Sequence, residues 1–133
     1  MQKKLFATAA FAAIISAGIY VEPAKAGPIC EAKISSELDY GRKTMSVVQK
    51  LYDQKKWMLL VSTYGQQAIA AEATMMDLVK SKCLIGLEVV NVSASTKKEW
   101  NRQVAWGERF LSKLQNNSEL QAFMFTHELF GSF

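Results

Sequence analysis

Residues 57–82, WMLLVSTYGQQAIAAEATMMDLVKSK, decide the fold. Between Lys56 and Lys80 the only charges are Glu72 and Asp77, while Val61, Tyr64, Ala68, Ala71, Met75 and Leu78 recur at steps of three and four. That spacing lines them along one stripe of an α-helix. Gly65, Ala68, Ala70, Ala71 and Ala73 keep much of the surface small, so another helix can approach closely. A membrane-spanning reading fails on Gln66, Gln67, Glu72 and Asp77, which are costly in hydrocarbon. The stretch therefore predicts the central helix of a bundle.

Working outward, residues 31–56 carry a second stripe of Ile34, Leu38, Gly41, Met45, Val48 and Tyr52, with polar and charged residues on the other sides. Asp53-Gln54-Lys55-Lys56 reads as the break between the two helices. After Cys83, Leu87, Val89 and Val90 favour a strand and Gly86 weakens a helix. Leu84, Leu87 and Val90 also sit at helical spacing, however, and a lone strand has no partner. The expectation for residues 83–92 is a helical turn, followed by a loop from Asn91 to Ser95.

Thr96-Lys97-Lys98-Glu99 fits a capping box and opens a third helix. Its stripe is Trp100, Val104, Gly107, Leu111 and Leu114, widened by Gln103, Trp106 and Phe110. Asn116-Asn117 ends it, and Ser118-Glu119-Leu120-Gln121 repeats the capping pattern ahead of a short helix to about Phe130. Beyond residue 26 the only proline is Pro28. The predicted fold is all-α, a small bundle of three or four helices in a single domain over residues 27–133.

The first 26 residues read as an address. Lys3 and Lys4 precede the uncharged apolar run Leu5 to Tyr20, and Ala24-Lys25-Ala26 places small residues where a signal peptidase reads. The run falls short of the roughly 20 apolar residues a spanning helix needs. It predicts cleavage after Ala26 and delivery to a bacterial periplasm, with the extracellular space as second choice. Three of the 16 lysines and arginines and one of the 12 acids lie in this leader, so its loss lowers the formal charge from +4 to +2. That charge is too small and too evenly spread for a nucleic-acid footprint.

Cys30 and Cys83 are the only cysteines, and an oxidising compartment favours their pairing. Closing a loop of about 50 residues stabilises a domain by roughly 4 kcal/mol of chain entropy. The bridge would tie the start of the first helix to the end of the second, which requires the two to run antiparallel.

Catalytic signatures are sparse. His127 is the only histidine, no Gly-x-Ser-x-Gly turn occurs, and both cysteines are assigned to the bridge, so His127 is expected at the surface. No zinc or calcium ligand pattern appears, and the cysteines are too far apart for a redox dithiol, so neither metal nor cofactor is expected. Among carboxylates, Glu31, Glu37, Asp39 and Asp53 fall on a solvated surface, whereas Glu72 and Asp77 lie in the apolar helix, where burial could raise their pKa. Asn91-Val92-Ser93 and Asn116-Asn117-Ser118 match the glycosylation pattern but read as loop composition behind a bacterial leader. The tail holds Leu120, Phe123, Met124, Phe125, Leu129, Phe130 and Phe133, too many large apolar groups for one short helix to turn inward. Some of them therefore either close an end of the core, as a terminal helix packed over the bundle, which is the preferred reading, or form an exposed patch, for which Phe123, Phe125, Phe130 and Phe133 are the candidate partner-binding residues.

The resulting expectation is a non-catalytic secreted or periplasmic protein that acts by protein–protein contact. Such a chain would be an accessory subunit of an envelope, secretion or conjugation machine, or an inhibitor or immunity factor. One alternative is a periplasmic acid- or stress-type chaperone; another is a small hydrolase using Glu72 or Asp77 in a cleft. A protein partner is expected, with no nucleic acid and no stable membrane insertion after leader removal, and a homo-oligomer is left open.

Overall fold

The computed structural model describes residues 27–129 and Phe133. The leader with its cleavage position after Ala26, and Phe130, lie outside the described residues. Four helices occur among those described: α1 (Pro28–Asp53), α2 (Trp57–Lys80), α3 (Ala94–Gln115) and α4 (Ser118–Thr126). Between α2 and α3 sits a short hairpin of β1 (Leu84–Ile85) and β2 (Glu88–Val89). The architecture is thus a small all-α bundle with one disulfide.

Local chemistry sets the ends of each element. Pro28 occupies the first turn of α1, where its missing N–H costs no bond, and Glu31 and Lys50 complement the helix dipole at either end. Lys55 takes a positive φ of 55° and reverses the chain within three residues, so α2 returns antiparallel along α1. Two start signals are displaced from their expected positions. Ser93, not Thr96, caps α3, its hydroxyl accepting from the Thr96 amide. Asn117, not Ser118, caps α4, its Oδ1 accepting from the Leu120 amide at 2.8 Å. The last helix ends at Thr126 rather than near Phe130.

Residues 83–92 are a correction to the expected helical turn. Leu84 pairs with Val89 and Ile85 with Glu88, leaving Gly86 and Leu87 as the two-residue loop. Gly86 stands at φ 60°, a value that hairpin loops of this length require and that glycine adopts without a Cβ clash. The strand signal in Val89 was therefore the correct one. The missing partner lay five residues upstream, where Leu84 turns into the core beside it.

The disulfide joins Cys30 to Cys83 with a Cα–Cα distance of 5.3 Å. Lys33 reinforces the same antiparallel pair, reaching Asp77 at 2.8 Å and the Ser81 hydroxyl at 3.0 Å. Around the bridge, Ile34, Leu38, Leu78, Leu84, Val89 and Trp100 form one apolar cluster. A second cluster gathers Val48, Trp57, Leu60, Phe110, Leu114 and Leu120 at the opposite end. Tyr52 is central there. Its ring meets Trp57 and Phe110 edge-on, each at 5.7 Å, and its hydroxyl accepts from Asn117 Nδ2 at 2.9 Å.

The helix at the centre is α1, not the apolar α2. Both α2 and α3 pack along α1 and hardly approach each other. Reading α2 as central from its composition is corrected for that reason: much of its apolar surface faces outward, with Met58, Leu59, Ile69 and Met76 exposed.

Because the bridge holds the ends of α1 and α2 together across a long loop, breaking it is expected to cost about 2–5 kcal/mol. Urea unfolding with and without reductant checks this. The midpoint should fall on reduction, and Cys30→Ser with Cys83→Ser should reproduce the reduced curve.

Candidate functional site

The divergence of α2 and α3 leaves a groove of about 530 Å³, with α1 as its floor. Glu37, Gly41, Thr44 and Met45 come from α1, and Tyr64, Gln67, Ala71 and Thr74 from α2. The α3 wall presents Trp100, Val104, Trp106 and Gly107, and Leu87 of the hairpin loop lies at the border. The groove falls between the two apolar clusters, where the stripes of α1 and α2 turn from large aliphatics to Gly, Ala and Thr.

Two glycines shape it. At Gly41 the chains come close: Gln103 Nε2 donates to the Leu38 carbonyl at 2.9 Å, and a Cβ on residue 41 would lie 2.2 Å from Gln103 Oε1. Gly107 is the reverse case, since a Cβ there would meet nothing within 4 Å. A glycine inside a helix costs about 1 kcal/mol relative to alanine, and no packing requirement accounts for this one. The space before Gly107 is the groove itself.

The aromatic walls are ordered by mutual contact. Trp106 stacks on Phe110 with ring centroids 4.8 Å apart, and Tyr64 meets Phe133 edge-on at 5.1 Å. Burial pushes the Tyr64 phenol up to about 12. Trp100 is buried, and its indole N–H has no acceptor among the described residues.

Among the described residues no lysine, arginine or histidine lines the groove, and the acids that do are Glu37 and the exposed Glu108. Glu37 is half-buried against α2. Burial raises its pKa, and a hydrogen bond from Thr74 opposes part of that rise. This corrects the expectation that Glu72 and Asp77 were the acids open to burial. Both are exposed. Glu37 meets Thr74 within the α1–α2 seam, whereas Asp77 stays at the solvent edge of that seam, paired with Lys33 of α1, and Glu72 lies on the outer surface of α2.

Other carboxylates tie helices together. Glu31 accepts from the Ser93 amide at 2.6 Å and from the Thr96 hydroxyl, locking the start of α3 to the first turn of α1. These bonds, Thr96 first, lower its pKa. Glu99 accepts from Arg102 and Gln103 and pairs with Arg42 across the helix contact, which holds it at about 2.

The candidate tail residues separate. Phe125 is 71% exposed, Phe123 is half-buried with its ring 4.1 Å from that of His127, and Phe133 is buried in the second cluster at 3% exposure. Phe133 is thus a core residue in this fold, while Phe125 faces outward. His127 is exposed at the end of α4, with its Nδ1 2.9 Å from the Phe123 carbonyl. Of the two sequon asparagines, Asn91 is held by its Nδ2 donating to the Lys82 carbonyl at 2.8 Å, and Asn116 is exposed.

A second surface lies on the outer side of α2. Met58, Ile69 and Met76, 49%, 58% and 45% exposed, project along one strip with Ser62 and Ala73, and Leu59, 56% exposed, borders it. Sequence reasoning missed this strip because an apolar segment was assigned to the interior. Its signal was the same scarcity of charge between Lys56 and Lys80.

Three stability effects follow. The Glu99 pKa is lowered from 4.5 to about 2, so its stabilisation is complete above pH 4.5 and disappears as pH falls through 2. Glu99→Gln should flatten the fall of Tm across that window. Glu37 has the opposite sign: its raised pKa means that ionisation opposes folding. Glu37→Gln should raise Tm at pH 7, and the gain should vanish below pH 4.5, where the unfolded chain is also protonated. Gly107→Ala should add about 0.5–1 kcal/mol, read by urea unfolding. No family model, curated protein or solved structure matches the chain, so the reading of these surfaces rests on their own chemistry.

Proposed function

We propose that the protein is a non-catalytic binding protein of the periplasm or extracellular space, acting through contact of the outer face of α2 with another protein. The observation that carries this reading is the exposure of Met58, Leu59, Ile69 and Met76 on the outer side of α2, a side that also carries Glu72 and, at its end, Lys80. Large apolar side chains grouped on a surface mark a contact that water leaves when a partner arrives. The buried Cys30–Cys83 bridge fits an oxidising compartment. Among the described residues no helix is long and apolar enough to cross a membrane. An accessory subunit of an envelope, secretion or conjugation machine, or an inhibitor or immunity factor, would use such a face.

The triple variant Met58→Ser, Ile69→Ser, Met76→Ser tests the reading. These positions are exposed, so each change should alter stability by no more than about 0.5 kcal/mol. A partner retained by the wild-type protein from its own cell envelope should be lost by the variant at unchanged Tm. Equal retention by both proteins would remove α2 as the contact. Sedimentation of each across a concentration series identifies the case in which the partner is a second copy.

A further inference from the structure

We propose that the groove between α2 and α3 binds a small cationic amphiphile, its apolar body lying along the aromatic walls and its ammonium-type head at Glu37. This site is separate from the outer face of α2 and does not depend on that contact.

Size is the first argument. A volume of about 530 Å³ lies within the range of roughly 300–1,000 Å³ typical of small-molecule sites. The lining has the corresponding composition: Met45, Ala71, Val104 and Trp106 offer apolar surface, with few polar groups among them.

Charge selects the class of ligand. A fatty acid or a phosphate ester would bring an anion into a groove that, among the described residues, holds two glutamates and no cationic side chain. Such a ligand would lose its hydration and gain no counter-ion. A cationic head gains a counter-ion in Glu37, which is partly withdrawn from water at the α1–α2 wall, while Trp106 and Tyr64 further along the groove offer apolar surface to the body.

Gly107 supplies an independent indication. A Cβ at residue 107 would meet nothing within 4 Å, and Gly107 lines the groove, so the open space there belongs to it. Filling that position is therefore a way to block the site without disturbing a packed contact.

The test uses the full protein with its disulfide intact. Fluorescence of Trp100 and Trp106 is followed at neutral pH during titration with dodecyltrimethylammonium, dodecanol or dodecanoate, each below its micelle concentration. The ammonium compound should bind saturably at one site, and dodecanoate at least about tenfold more weakly. Glu37→Gln should bring the two affinities to within about threefold of each other by removing the charge that separates them. Gly107→Phe should weaken the ammonium compound by at least about tenfold while Tm stays at or above that of the wild type. Should Gly107→Phe fail to fold, Ala71→Leu narrows the groove from the opposite wall and should have the same effect. Absence of saturable ammonium binding, equal affinity for dodecanoate in the wild type, or full binding by a folded groove-filling variant would each overturn the proposal. The last result would identify ordinary surfactant adsorption.

Discussion

Cys30, in the first turn of α1, is bonded to Cys83 just beyond the end of α2, and the chain that follows must cross over the start of α1 to begin α3. The hairpin makes that crossing. It buries Leu84 and Val89 beneath it, and the Gly27 amide donates to the Asn91 carbonyl at 3.2 Å. Glu31 then receives the start of α3 through the Ser93 amide and the Thr96 hydroxyl. Three helix ends are thereby held at one place by a covalent bond, a two-stranded turn and one carboxylate. In so short a chain, local constraints of this kind offset the modest core.

The far end is closed without covalent help. Tyr52 brings together Trp57 of α2, Phe110 of α3 and Asn117 ahead of α4, and Lys55 reaches Glu119 at 3.0 Å. Between the two closed ends α2 and α3 pack on α1 and hardly approach each other. The groove between them is the consequence.

The helices were legible in the sequence because their apolar positions repeat with the helical period. Ile34, Leu38 and Val48 on α1, Val61, Ala68, Met75 and Leu78 on α2, and Trp100 and Leu114 on α3 are all buried as their spacing implied. The disulfide was legible from the cysteine count together with the antiparallel order. The hairpin was not, because two-residue strands carry too little pattern to outweigh a chance helical spacing at Leu84, Leu87 and Val90. The caps were misplaced by one to three residues, since Ser93, Thr96, Asn117 and Ser118 are all competent caps and only the tertiary partner of each selects among them.

Candidate sites were read less well than the fold. A carboxylate's environment depends on which neighbour its helix face meets, and α1 facing both α2 and α3 placed Glu37, rather than Glu72 or Asp77, against a wall. The tail divided for a similar reason: Phe133 returns to Tyr64 while Phe125 stays outside.

By itself, the sequence determined the helical segments, their buried stripes and the pairing of Cys30 with Cys83, because periodicity and cysteine chemistry are local or countable properties. Only the tertiary structure decided that α1 is the central helix, that the apolar surplus of α2 faces outward and that a groove opens before Gly107. Those outcomes depend on how far apart two helices sit on a third, a distance set by side chains remote from one another in the chain.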